Sequence, residues 1–281
     1  MERILKISLF SAICMFLSVS ITFAATNGST LVNTYNLDLG PDIRYLNYRE
    51  PDYDIDITGL MYGVSGKFTY HGISNRDNYL MLGLDTQVLG GGLEYDGQTQ
   101  SGTPLDESSD DWLIETRALI GSEYFFGDDN ILTLFTGIGY RYWNNEVSGN
   151  AGYESEVQYW YAPIGIKTLG HLYKNWTAGM NAEFDFFLGG KVKSHLSDVN
   201  PDFNDPVVDQ NTANGYGLGF SLHFTRDFER RNQSLRLKPY IRYWEIKESE
   251  KGKLRANGNS VQFLEPENET ISGGMRVSIS F

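Results

Sequence analysis

The residues of this chain that could do chemistry are fifteen charged side chains on one side of alternating segments. Arg44, Lys67, Arg117, Arg141, Lys167, Arg236, Lys238, Arg242 and Arg276 stand against Asp42, Asp85, Glu115, Glu123, Glu183 and Asp185. Carboxylates facing guanidinium groups can select ions, hold a polar ligand or neutralise one another. Where water is scarce the last outcome prevails, because a buried charge needs a partner and hydrogen bonds. Nine positive groups against six negative ones are close to balance, so a paired interior plug is expected. Its central set is Arg44, Asp85, Glu115, Arg117, Arg141, Glu183, Asp185, Arg242 and Arg276. A narrow channel, or a small polar ligand site lined by the same groups, is the functional alternative.

Nucleophilic and metal chemistry have little to build on. The chain has four histidines, His71, His171, His195 and His223, and one cysteine, Cys14. No two histidines stand at metal-ligand spacing, so neither a metal nor another cofactor is expected. Ser194 and His195 adjoin, but neighbours on an extended chain point to opposite sides, so they make no nucleophile–base pair. No catalytic residue is assigned, and the chain is not expected to be an enzyme.

A second acidic set lies in links between segments. Asp106 and Glu107 fall in the link 96–110, and Asp198, Asp202, Asp205 and Asp209 fall in 193–213. Exposed connections on a rigid scaffold commonly carry binding, so these are candidate contacts to an extracellular ligand or host surface. No Asp-x-Asp-x-Asp-Gly pattern supports calcium there. Solvated loop is the plainer reading.

Ten segments must position these groups. They run over 37–49, 58–71, 79–95, 111–126, 131–145, 154–169, 175–192, 214–228, 234–247 and 271–281. Each alternates apolar and polar residues, the signature of a strand with two unlike faces. In the seventh, Trp176, Ala178, Met180, Ala182, Phe184, Phe186 and Leu188 alternate with Thr177, Gly179, Asn181, Glu183 and Asp185. Pro163 weakens the sixth, since proline suits edges and bulges. Arg44-Tyr45, Arg141-Tyr142 and Arg242-Tyr243 recur in segments one, five and nine, each with its arginine on the polar face.

The links sort by length. Those at 73–78, 127–130, 170–174 and 229–233 are short and rich in Asn, Asp, Gly and charge, which are tight-turn signals. Those at 50–57, 96–110, 146–153, 193–213 and 248–269 are longer. Short turns on one side and long loops on the other describe an up-and-down barrel that crosses a membrane with strands. Ten strands are expected, with eight or twelve as alternatives.

The last segment, Ile271-Ser-Gly-Gly-Met-Arg-Val-Ser-Ile-Ser-Phe281, alternates to its final aromatic residue. It resembles the closing strand of bacterial outer-membrane β-barrels. That resemblance covers the chain after its leader and is nearest to the small opacity-type and ten-stranded adhesin barrels. It implies a Gram-negative outer membrane, contact with outer-membrane lipid and lipopolysaccharide, and Phe281 as the signal read by the barrel-assembly machinery. Omptin proteases are also ten-stranded with long outer loops. They use an acidic pair across the barrel mouth from an Asp-x-His pair. Here Thr69, Leu169, Lys193 and Ser221 stand two residues before the histidines, so the Asp-x-His half is missing.

Composition agrees. Aromatic residues make up 14%, with 18 Tyr and 16 Phe, which suits strands and membrane-interface belts. A net charge of −13 argues against nucleic acid as partner. Arg3, Lys6 and the apolar run 7–21 read as a secretory signal, with cleavage expected after Ala24. The chain thus divides into a signal peptide (1–24), a polar leader (25–36) and a barrel (37–281). Adhesin-like scaffolding through the acidic loops is the expected role. A narrow porin is the alternative, and an omptin-like rim protease a remote one.

Overall fold

The computed structural model describes residues 34–73, 78–98, 104–126, 130–228, 233–256 and 258–281. The expected signal peptide and nearly all of the leader lie outside these residues. The strands are β1 (Tyr35–Glu50), β2 (Ile55–Ile73), β3 (Asn78–Gln98), β4 (Pro104–Phe125), β5 (Asn130–Val147), β6 (Glu154–Tyr173), β7 (Trp176–Ser194), β8 (Val207–Gln210), β9 (Gly215–Phe228), β10 (Gln233–Ile246), β11 (Gly252–Ala256), β12 (Asn259–Phe263) and β13 (Asn268–Ser280).

Ten of these close an antiparallel barrel: β1 to β7 pair in sequence, β7 pairs β9, β9 pairs β10, β10 pairs β13, and β13 returns to β1. The closing ladder runs from Asp38 opposite Ser280 to Arg49 opposite Glu269. Phe281 extends it, exchanging backbone hydrogen bonds with Leu37 at 3.0 and 3.2 Å. Closure satisfies every edge, which is what allows a sheet to sit in hydrocarbon.

Alternation sorts the side chains as the sequence pattern requires. Phe186 is 48% exposed while Asp185 beside it is fully buried. Val64 is 64% exposed and Ser65 8%. The outward face carries an aliphatic band that includes Leu39, Leu84, Ile120, Leu134, Ile164 and Met275. Aromatic contacts flank it. Towards the loop end Trp112 meets Tyr142 at 5.0 Å and Tyr140 meets Trp160 at 4.8 Å. Towards the turn end Tyr35 meets Tyr70 at 5.2 Å and Tyr79 meets Phe125 at 4.8 Å. Two aromatic girdles around an aliphatic band fit the two interfaces of a bilayer.

The structure corrects the sequence reading at the loop end. The link expected over 96–110 is mostly ladder: Asp106 lies opposite Asp96 and Glu107 opposite Tyr95. Asp106 and Glu107 are therefore strand residues and do not sit on a loop. Above the membrane both faces of a strand can be polar, so the run Asp106-Glu-Ser-Ser-Asp-Asp111 shows no apolar alternation and reads as loop. Asp209 is likewise on a strand, β8, which adds to β7 beyond the last β9 pair and sets Asp209 opposite Lys191. β11 and β12 form a separate hairpin within the last long link.

One irregularity changes which residues face where. Tyr161 pairs with Phe187, but Trp160 pairs with Gly189, so Leu188 is an extra residue in β7. Gly189 takes φ +139, a conformation that suits glycine. Such a bulge exchanges the two faces beyond it. Val192 is accordingly fully buried in the lumen, whereas strict alternation past Leu188 would have turned it outward.

Candidate functional site in the barrel lumen

The lumen is built in three tiers. At the loop end, inward residues of β1 to β5 form an apolar cluster of Leu46, Tyr48, Ile57, Met61, Leu89, Leu93, Leu113 and Trp143. Beside it, Tyr159, Tyr161, Phe187, Trp244 and Ile246 from β6, β7 and β10 form a second cluster. Trp244 meets Tyr161 edge-on at 5.0 Å and Tyr159 at 5.1 Å. Glycines make room for these rings. A Cβ on Gly139 would lie 2.2 Å from the Tyr161 ring, and one on Gly217 would lie 2.9 Å from Trp244 and 3.0 Å from Asp185 Oδ2.

The middle tier is ionic. Arg117 donates to Asp85 at 2.7 Å and to Glu183 at 2.8 Å. Arg242 bridges Asp185 at 2.5 Å and Glu115. Arg276 bridges Asp42 at 2.8 Å and Asp85 at 2.9 Å, and also donates to Gln87. Glu115 further accepts from Gln87 at 2.5 Å and from the Tyr161 hydroxyl. This tier brings Asp85, Glu115, Arg117, Glu183, Asp185, Arg242 and Arg276 into one connected network. Arg44 and Arg141 are buried in the same lumen without a carboxylate among the described residues within 4.0 Å. Arg44 instead donates to the Tyr240 hydroxyl at 3.0 Å, which donates to Asp42 at 2.7 Å. Arg141 lies 5.7 Å from the centre of the Tyr159 ring. The three Arg-Tyr repeats thus share a luminal arginine but, among the described residues, not a common hydrogen-bond or ion-pair partner.

The third tier, at the turn end, holds a cavity of about 630 Å³ lined by Asp38, Lys67, Lys167, His223, Arg236, Lys238, Arg276 and neighbouring polar residues. Asp38 is paired with Arg236 there.

The acidic candidates at the loop end divide. Asp209 pairs with Lys191 at 2.6 Å. Asp205 accepts from the Ser197 amide at 3.0 Å and lies 3.6 Å from His195 Nδ1. Burial works against ionisation of Asp205, but the Ser197 bonds and the neighbouring His195 and Lys193 hold its carboxyl below the usual range. Asp198 receives a long hydrogen bond, 3.5 Å, from the Glu154 amide, and Asp202 is on the exposed turn after it.

Sequence reading missed one group. His195 Nε2 lies 2.8 Å from Glu156 and 4.0 Å from Glu154, on the outer surface above the loop-end girdle. Only the bulge at Leu188–Gly189 puts His195 on the Glu156 side. Strand spacing with a possible glycine bulge was the sole signal available. Glu154, Glu156 and His195 are the one set of three ligand-type groups found close together among the described residues. The Glu156 oxygen is already engaged by His195. Ser194 is buried on the opposite side of the strand, as the extended chain requires.

The other acidic rim groups meet at the top of the lumen. Tyr48 donates to Glu50 at 2.7 Å and lies 3.5 Å from Glu265. Burial first, and then repulsion from Glu50, raise the Glu265 carboxyl well above the usual range.

No family model and no curated protein matches this sequence. Solved structures do. The outer-membrane protease OmpT of Escherichia coli superposes with a TM-score of 0.57 at 10% identity, covering 93% of this chain and 99% of that one. The transport unit of the Escherichia coli autotransporter AIDA-I gives 0.47 at 11% identity, covering 96% and 97%. The toluene transporter TbuX of Ralstonia pickettii gives 0.39 at 12% identity, covering 92% and 95%. The chain has the fold of an outer-membrane β-barrel: ten antiparallel strands, closed first to last. At these identities the likeness speaks for fold alone.

Proposed function

We propose that this barrel is a closed scaffold in the outer membrane whose loop end makes contacts outside the cell. The observation that carries this reading is the double apolar cluster, Leu46 to Trp143 and Tyr159 to Ile246, which fills the loop-end half of the lumen. Below it the guanidinium–carboxylate network occupies the centre. Solute moving through would have to break both. The barrel therefore serves as a rigid frame, and its outward contacts fall to the exposed rim.

That rim is acidic. Asp52, Tyr53 and Asp54 of the first link are exposed, as are Asp106 and Asp202. An acidic rim suits a cationic partner surface, through long-range attraction that salt weakens. The hairpin of β11 and β12, joined through Asn204 to the link before β8, carries Val261 exposed.

Two measurements test this. In planar bilayers the refolded protein should be silent; steady single-channel conductance would favour the narrow-porin alternative. Proteoliposomes should adhere to a polycation-coated surface more than to a neutral one. Replacing Asp52, Asp54, Asp106 and Asp202 with Asn should remove the difference. Adhesion that is indifferent to these four changes would take the acidic rim out of the account.

A further inference from the structure

The turn-end cavity is charged in a way the rest of the lumen is not. Lys67, Lys167 and Lys238 all line it, and among the described residues none has a carboxylate within 4.0 Å. Carboxylates are close by in register. Lys67 sits opposite Asp38 on β1 and opposite Asp85 on β3. Both are taken: Asp38 pairs with Arg236, and Asp85 with Arg117 and Arg276. Lys238 sits opposite Arg276, a like-charge pair across a ladder, which is unfavourable unless something negative stands between or beside them. His223 adds a ring nitrogen near Ser221 at 3.2 Å.

We propose that this cavity is a binding site for a phosphate-bearing small molecule, entering from the turn end, which an outer-membrane orientation places in the periplasm. Three ammonium groups without carboxylate partners are point-charge donors of the kind that hold phosphate oxygens. Arg236 and Arg276 lie on the same wall but are already paired, so the anion's charge is met by the lysines. A volume of about 630 Å³ is larger than inorganic phosphate needs and lies within the range of small-ligand pockets. The middle tier and the apolar clusters close its far end, so the site holds a ligand and passes nothing on. It is independent of the acidic rim.

The test titrates the refolded full chain in detergent at low ionic strength with glycerol 3-phosphate, inorganic phosphate and, as a neutral control, glycerol. Calorimetry should show one saturable site for the phosphates and none for glycerol. Tighter glycerol 3-phosphate would identify an organic phosphate as the occupant, and equal affinities free phosphate. Lys67→Gln, Lys167→Gln and Lys238→Gln should each weaken binding about tenfold or more, the loss of one charge-assisted hydrogen bond. The Lys→Arg variants should retain most of it. Wild-type protein guards against variants that fail to fold: phosphate should shield the three lysines from an amine-acylating reagent. Absent binding, affinity unchanged in all three Gln variants, or labelling indifferent to phosphate would each overturn the proposal.

Discussion

The two halves of this lumen are made from the same ten strands and the same alternate positions, yet they differ in character, the turn-end half having only the small apolar cluster of Met81, Leu119 and Phe135. The loop-end half is filled by Leu46, Met61, Leu113, Trp143, Phe187 and Trp244, all buried. The turn-end half leaves a cavity and lines it with Lys67, Lys167 and Lys238. Between them lies a network in which Arg117 and Arg276 each have two carboxylate partners and Arg242 has three. The contrast teaches that period-2 alternation fixes only which side chains face inward. What the inside becomes depends on residue size and on which charges find each other across strands.

The largest effect should come from the filled half. Trp244→Ala removes the ring that joins Tyr159 and Tyr161, and deleting a buried Trp costs about 3–5 kcal/mol. Denaturant unfolding of the refolded barrel should show that loss, and conductance should rise from silence if the apolar tier is the seal. A variant as stable as wild type would mean the tier is not packed as described.

Next is the boundary between the halves. Arg242→Gln strands Glu115 and Asp185 beside Glu183, and removing one partner of a buried pair costs about 3–5 kcal/mol. The triple change Arg242→Met with Glu115→Gln and Asp185→Asn removes the charges together and should recover much of the loss. No recovery would show that the network contributes through geometry and not through charge balance.

The third sharpens the division between inside and outside. Phe186→Arg puts a cation into lipid one outward position below the loop-end girdle, at a cost under the about 2–4 kcal/mol of the midplane, while Asp185→Asn next to it leaves the lipid face untouched. Phe186→Arg should impair folding into lipid vesicles more, as read by heat-modifiable migration on gels. The reverse order would require a one-residue shift of register.

The smallest concerns the lid of the filled half. The raised Glu265 carboxyl binds its proton more tightly in the folded barrel than in the unfolded chain. Its contribution to stability is therefore full below the unfolded carboxylate range and is lost as pH rises through the raised folded value. Glu265→Gln should make unfolding less sensitive to that rise, with a gain in stability at neutral pH. An unchanged pH profile would assign the acidic sensitivity of the rim to other groups.

Much of this was legible in the residues. Alternation in β7, Trp176 to Leu188, is so regular that Asp185 inward and Phe186 outward follow from it directly. The length-sorted links and the regular alternation of the last segment pointed to an up-and-down barrel, and the structure closes it by pairing β13 with β1. The luminal arginines were legible as a face because strands leave no other choice. The loop-end strands were not: Asp106 and Glu107 stand on ladder pairs above the membrane, where no apolar alternation marks a strand.

What the sequence by itself determined is thus the barrel and the inward residues of each strand up to any bulge, since a period of two and a lipid solvent constrain these locally. Tertiary structure alone decided the rest. It placed Trp143 and Trp244 in apolar clusters although both stand on the polar face of their strands. The Leu188–Gly189 bulge turned Val192 inward and His195 towards Glu156. Asp38 and Asp85 went to arginines, leaving Lys67 with no carboxylate within 4.0 Å among the described residues. Each is a competition among residues on strands far apart in the chain, settled by distance and size across the closed lumen, and no single segment carries that information.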